Sequence, residues 1–160
     1  MSFGMTRDGG SSRDVAFGDI HTLTAGAGSD NAEQTGPWID RLGWDSCGVY
    51  AVYEATLAEN ETLSIAANLQ DSVDASTPKG DFTLGGASLA STVVATGGTG
   101  GSTEQGVAYL GKWDLTMAER HVRVQVTSDL SAAGTDTATV AIVVVKDGGD
   151  ALPAQTPLNA

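Results

Sequence analysis

Short runs in which apolar and polar residues alternate recur along most of this 160-residue chain, and they constrain its fold more than any other feature. Alternation with a period of two is typical of a strand with one buried face. About eight or nine such runs, separated by turn residues every ~8–12 residues, are the pattern of a β-sandwich. We therefore predict an all-β, single-domain, jelly-roll-like sandwich over residues 15–146, with a flexible N-terminal arm (1–14) and an extended C-terminal tail (147–160).

The predicted strands follow the apolar alternation between Gly-rich and polar breaks. They cover residues 14–20, 37–42, 46–57, 62–70, 79–84, 88–96, 106–115, 120–128 and 138–146. The four residues 58–61 predict a hairpin that joins the third and fourth of these strands. Residues 24–36 predict a loop, and residues 116–119 predict one helical turn.

The strand over residues 138–146 differs from the others because both of its faces are apolar. One face carries Val140, Ile142 and Val144, and the other carries Ala141, Val143 and Val145. Such a strand is either central and covered on both sides, or its second face meets another subunit. Val143 and Val145 are therefore candidate interaction residues.

Charge excludes two classes of partner. The chain has 20 Asp and Glu against 8 Lys and Arg, a net charge of −12, and only Arg120 and Arg123 lie close together among the basic residues. Nucleic acids and anionic membranes need clustered cations, so neither is a predicted partner. The first residues lack the apolar core of a secretory signal, and no window approaches the ~20 apolar residues of a membrane span. We expect synthesis in a cytoplasm.

Residues with catalytic chemistry are few. Cys47 is the only cysteine, so it forms no intramolecular disulfide, and its place before an apolar strand predicts a buried side chain. His21 and His121 lack metal-ligand spacing, and His121 alternates with inward valines, which predicts a surface position. The loop 97–103 lacks the lysine of a phosphate-binding loop, and residues 147–150 lack the spacing of a calcium loop. We predict no enzyme activity, no catalytic residues, no cofactor and no metal, although a carboxylate pair for hydrolysis stays open.

Aromatic residues keep a binding role open. A platform that stacks on sugars would draw on the tryptophans and on two tyrosines: Trp38, Trp44, Trp113, Tyr50 and Tyr53. Core packing explains most of them better. Trp38 and Trp44 flank short turns, so we expect them to be partly exposed at an interface.

Four stretches carry a family resemblance. The segment GPWIDRLG (36–43), the run YEATLAENETLSIAANLQDS (53–72), and the pair RHVRVQVTSDLSA (120–132) and TATVAIVVV (137–145) resemble small structural proteins of tailed bacteriophages. In particular, they are similar to capsid decoration, or cement, proteins. The resemblance covers residues 36–146 and lies in the general residue pattern of the strands, not in a diagnostic motif. It implies a virion protein that binds the major capsid protein on the outer capsid surface, often as a homotrimer, and it carries over no catalytic residue.

The arms fit this family expectation. Phe3 and Met5 offer apolar anchors, and Arg7 and Arg13 offer cations toward an acidic shell, in an arm that orders on binding. Assembly in the host cytoplasm fits the missing signal sequence. A head–tail connector or tail protein, and a carbohydrate-binding module, remain the alternative functions.

Overall fold

The computed structural model describes residues 13–83, 89–132 and 134–148, and these residues form an all-β fold with no helix among them. The strands are β1 (Arg13–Thr24), β2 (Glu33–Thr35), β3 (Ile39–Asp40), β4 (Ser46–Leu57), β5 (Thr62–Ser72), β6 (Gly80–Asp81), β7 (Leu89–Thr96), β8 (Ser102–Asp114), β9 (His121–Leu130) and β10 (Thr137–Asp147). Each of the nine predicted strands corresponds to one of these elements, and β2 is the addition within the predicted loop 24–36.

Two antiparallel sheets form the sandwich. One has the order β1-β10-β4-β8, and we call it the first sheet. The second has β9 and β5 at its centre, with β2 and β3 on the free side of β9 and with β6 and β7 on the free side of β5. When β2 and β3 count as one interrupted strand and β6 and β7 as another, the sheet orders become 1-8-3-6 and 2-7-4-5. This is the eight-stranded, two-sheet arrangement of a jelly roll, so the predicted fold class is confirmed.

The core lies between the two sheets and uses one face of each long strand. In β4 the inward residues are buried, as in Val49, Ala51 and Ala55, and β5 and β9 contribute Ile65 and Val124 in the same way. Burial of each Val, Leu or Ile side chain stabilises the fold by about 1.5–3 kcal/mol. Along both β4 and β5, buried residues alternate with more exposed ones, as the period of two in the sequence predicts.

The predicted hairpin at residues 58–61 is wrong. β4 pairs with β10 and β8, whereas β5 pairs with β9, β6 and β7, so the connection crosses from one sheet to the other. Hydrogen bonds to distant parts of the chain fix this connection. The Asn60 amide donates to the Gly97 carbonyl at 3.0 Å, and the Ala58 amide donates to the Asp136 carboxylate at 3.1 Å. A short polar loop suits either connection, which is why the sequence pattern did not separate them.

Smaller differences concern the ends of elements. β3 covers only two residues of the predicted strand 37–42, because only Ile39 and Asp40 pair with β9 in ladder register. Residues 116–119 form a turn closed by the Ala118 amide on the Leu115 carbonyl, at 3.0 Å, in place of the predicted helical turn. β1 begins at Arg13, so the last two residues of the predicted arm belong to a strand. The remaining arm, with Phe3, Met5 and Arg7, and the tail beyond residue 148 lie outside the described residues.

Candidate interaction surface

The outer face of the first sheet is built from side chains that lie in rows across its four strands. Backbone pairing aligns Phe17, Val143, Tyr50 and Tyr109 in one row. The next row toward the far end of the sheet contains Ile20, Ala141, Val52 and Val107. Because outward side chains in neighbouring strands stand about 4.5–5.5 Å apart, each row is a contiguous band.

One end of this face is apolar, and we call it the apolar half. It consists of the two rows just described together with Val15 and Val145, which pair with each other at the end of β1 and β10. Its most exposed side chains are each at least 57% exposed: Val15, Phe17, Ile20, Val107 and Tyr109. Large exposed apolar residues that lie singly are ordinary, whereas a contiguous band of them is a candidate interaction site.

The other end of the same face is polar, and we call it the threonine half. Its last row is formed by one threonine from each strand: Thr24, Thr137, Thr56 and Thr103. The row beside it contains Thr22, Thr139, Glu54 and Gln105, and Gln105 donates a hydrogen bond to Glu54. Polar side chains of this kind are typical of a strand surface that faces water.

A β-bulge in β1 decides which residues reach the apolar half. The register shifts between Phe17 and Asp19, and the intervening Gly18 packs so closely that a Cβ there would lie 2.7 Å from Cγ2 of Ile142. The extra residue reverses the alternation, so Ile20 points outward and Asp19 and His21 point toward the second sheet. Without this bulge, a carboxylate would lie on the outer face.

The apolar half is smaller than a complete interface. Two rows of four residues and the pair Val15 and Val145, with spacings of about 6.7 Å along the strands and 4.8 Å between them, cover roughly 200–400 Å². A standard interface buries about 800 Å² per partner. A specific partner must therefore also contact other parts of the chain.

Tyr50 and Tyr109 occupy the centre of the apolar half. Their ring centroids are 5.3 Å apart and their planes are inclined at 51°. Although Tyr109 is 57% exposed, partial desolvation of its phenolate raises the pKa of Tyr109, and electrostatic repulsion between the two phenolates of Tyr50 and Tyr109 adds to this. A tyrosine with an ordinary pKa near 10 is already neutral at physiological pH, so the shift extends the neutral range of Tyr109 upward.

Charges border the apolar half at the start of β1. Arg13 contacts Asp147 at 3.2 Å, so this predicted capsid-facing cation is paired within the chain. Lys146 is buried, contacts Asp14 at 2.8 Å and lies 5.4 Å from the centroid of the Trp44 ring. The hydrogen bond from Lys146 lowers the pKa of Asp14. These pairs neutralise the charges at the β1 end of the apolar half, whereas the exposed Lys112 of β8 lies in the same row as Val15 and Val145.

The two candidate tryptophans are partly exposed, as predicted from their turns. The guanidinium of Arg123 stacks 4.4 Å from the Trp38 centroid on the second sheet, whereas Trp44 lies over Lys146 at the end of the sandwich. Trp113 is buried, and Tyr53 turns inward and donates to the Val94 carbonyl at 2.7 Å. The structure therefore does not assemble these aromatic residues into one sugar-stacking platform.

A largely buried polar cluster joins the two sheets, and sequence reasoning missed it. Nδ1 of His21 lies 2.7 Å from an Asp19 oxygen, and Nε2 lies 3.1 Å from Oγ of Ser128. The order carboxylate–imidazole–hydroxyl is that of a catalytic triad. Ser128 is fully buried, however, so its hydroxyl contacts protein on all sides and meets no substrate in this conformation. The spacing of residues 19, 21 and 128 gives no signal for the cluster, because it depends on the bulge and on packing between sheets.

The remaining candidate groups have structural settings. Cys47 is buried as predicted, and burial raises its pKa to about 12, so its thiol stays protonated. His121 lies near the surface with Nδ1 at 3.2 Å from the Val73 carbonyl. Within the described ranges, no three His, Cys, Asp or Glu side chains group as metal ligands. That part of the chain also has no helix long and apolar enough to cross a membrane.

Comparisons with known proteins give fold-level likeness only. No protein-family model matches the chain, and no curated protein sequence matches it. Among solved structures, a chain of infectious bursal disease virus, Gt strain, gives a TM-score of 0.44 at 15% identity over 88% of this chain and 34% of that chain. The T13 particle of the same virus gives 0.44 at 12% identity over 89% and 33%.

The VP2 subviral particle of that virus gives a TM-score of 0.38 at 9% identity, over 86% of this chain and 33% of that chain. These structural neighbours are viral capsid proteins, and this chain spans about one third of their length. Identities this low concern the fold alone, and TM-scores below 0.5 support no conclusion about function. The function of this chain has to be inferred from its own surfaces.

Proposed function

We propose that this protein is a structural virion component that binds the outer surface of a bacteriophage capsid and stabilises the shell as a homotrimer. The observation that carries the proposal is the apolar half, a contiguous band of exposed Val, Ile, Phe and Tyr side chains on an otherwise acidic protein. A net charge of −12 keeps free copies apart, so stable contacts form where charge is absent. The apolar half is such a place.

The proposed partners are the major capsid protein and further copies of this chain. The doubly apolar strand β10 lies at the middle of the first sheet, and its outward residues Val143 and Val145 are only partly covered by their neighbours. Since the apolar half is too small for a full interface, we assign additional contacts to the other candidate residues: Trp38, Trp44, Arg13 and the N-terminal Phe3, Met5 and Arg7. The total buried area should then exceed about 1,000 Å².

Sedimentation tests both parts of this proposal. The full chain is analysed by sedimentation velocity alone and by co-sedimentation with capsids that lack it. A trimer in solution or on the capsid, with saturable capsid binding, is the expected result. A monomer in both experiments contradicts the proposal.

A carbohydrate-binding module is the alternative function, favoured by the exposed rings of Phe17 and Tyr109 beside the hydroxyl-rich threonine half. The inclined Tyr50–Tyr109 pair offers no flat double platform for a sugar chain. Binding to a polysaccharide panel without binding to capsids would establish this alternative and reject the virion role.

A further inference from the structure

We propose that a depression at the centre of the first sheet's outer face binds an arginine side chain of the capsid protein, with Glu54 as the anion that pairs with it. This inference rests on the proposed function and deepens it, because it names the chemistry that the partner presents beside the apolar half. Three observations carry it: the depression, an isolated carboxylate at its edge, and the internal pairing of this chain's own arginines.

The depression spans β10, β4 and β8 at the border between the two halves of the face, and its volume is about 520 Å³. One side is lined by outward side chains of the apolar half and the other by those of the threonine half: Val52, Val107 and Ala141, then Glu54, Gln105 and Thr139. Ala141 is the smallest side chain of its row, so the surface is low beside it. These walls suit a side chain with an apolar stem and a polar tip.

The carboxylate of Glu54 is isolated. Among the four rows from Phe17 to Thr24, Glu54 is the only charged side chain. Along β8, the next charge on this face is Lys112, three rows away and thus roughly 20 Å distant, beyond the screening length of about 8 Å. Gln105 donates a hydrogen bond to one Glu54 oxygen and holds the carboxylate at the depression.

A partner that covers the apolar half places this carboxylate at the rim of the interface. Loss of water from an unpaired charge opposes binding, and a cation on the partner offsets that cost. Arginine satisfies both walls, because its methylene stem packs on Val52 and Val107 while its planar guanidinium donates parallel hydrogen bonds to a carboxylate. A lysine ammonium is more strongly hydrated and lacks this paired geometry.

The arginine is supplied by the partner and not by a second copy of this chain. The arginines of the described residues are each engaged within the chain, by a carboxylate, a backbone carbonyl or a side-chain amide: Arg13, Arg41, Arg120 and Arg123. A second copy would have to break such a contact to supply one of them. It would also bring a further net charge of −12 toward Glu54.

The first test needs no capsids. Methyl NMR spectra of the full chain are recorded during titration with n-butylguanidinium and with the uncharged n-butylurea. Wild type is compared with Glu54→Gln, which keeps the side-chain shape, and with the control Glu59→Gln, which removes the same charge from an exposed loop residue. The Val52, Val107 and Ala141 signals should shift at lower concentrations of n-butylguanidinium than of n-butylurea in wild type and E59Q, but not in E54Q. Equal responses to both compounds in wild type, or a preference that survives in E54Q, overturn the inference.

The second test measures the dissociation constant for capsids by co-sedimentation. E54Q should weaken binding about tenfold, because a hydrogen bond between charged groups is lost, and E59Q by no more than about twofold. Equal binding by wild type and E54Q overturns this inference and leaves the proposed function standing, whereas a wild type that binds no capsid rejects the proposed function itself. Loss of self-association in E54Q with unchanged capsid binding would place the arginine on a second copy and overturn the assignment.

Discussion

The two halves of the first sheet's outer face share the same four strands, the same three ladders between them and one core beneath them, yet they differ completely in surface chemistry. In the apolar half, Ile20 pairs with Ala141, and two residues further along β1, Thr22 pairs with Thr139. Folding does not require this difference, since both sets of side chains point away from the core. The threonine half shows what a solvated strand surface of this protein looks like, and this contrast is the reason for proposing the apolar half as the contact surface.

The largest expected effect comes from disrupting the bulge that arranges the apolar half. Gly18→Val forces side-chain atoms against Ile142, because a Cβ at residue 18 would lie 2.7 Å from the Ile142 Cγ2 atom. We expect the free energy of unfolding to fall by about 1–3 kcal/mol or more, as measured by urea denaturation. Gly28→Val is the control, because a Cβ at this exposed glycine meets no atom within 4 Å. Equal stability of the two variants would contradict the role of the bulge.

Removing His21, which lies between Ile20 and Thr22 on β1, should cause the next largest loss in the free energy of unfolding. His21→Ala deletes the contacts to Asp19 and Ser128 and leaves both polar groups without this partner, so we expect a loss of about 1–3 kcal/mol in the free energy of unfolding. His121→Ala, near the surface, should change stability by no more than about 0.5 kcal/mol. Thermal and chemical unfolding of both variants tests the contrast, and similar losses would show that the cluster does not stabilise the fold.

Replacing one row of the apolar half with threonines tests the stability of the fold and capsid binding separately. The triple variant Ile20→Thr, Val52→Thr and Val107→Thr replaces three exposed side chains of one row with the residue that fills the last row. We expect the free energy of unfolding to stay within about 1 kcal/mol, since each site is exposed, and capsid binding to weaken. Urea denaturation and co-sedimentation measure the two properties. A strongly destabilised variant would mean that the apolar half supports the fold itself.

The smallest effect concerns the charges that border the apolar half. The pKa of Asp14 is lowered by Lys146, so the ion pair stabilises the fold above the unfolded-state pKa of about 3.9 and this contribution is lost as the pH falls through the folded-state value. Asp14→Asn should therefore cost less than about 1 kcal/mol near pH 6 and nothing in strong acid. Unfolding curves at both pH values measure this, and a cost that persists in acid would exclude the ion pair as its cause.

The alternation of apolar and polar residues predicted the strands well, because side chains two residues apart lie on the same face of a strand. The bounds of β4 match the prediction, and the second apolar face of β10 was visible in the sequence. Pairing was not predictable in the same way: the crossing after Leu57 depends on contacts with Gly97 and Asp136, which are distant in the chain. The apolar half combines both kinds of information, since Val143 was identified from its strand but Ile20 joins it only through the bulge.

The central claim is that the apolar half, and not the threonine half, binds the capsid. The most direct measurement is co-sedimentation of capsids with Ile20→Lys and with Thr22→Lys, which place the same charge two residues apart on the same strand and the same face. Both sites are exposed, so both variants should fold. We predict that Ile20→Lys loses capsid binding and Thr22→Lys retains it; equal binding by the two variants would contradict the claim.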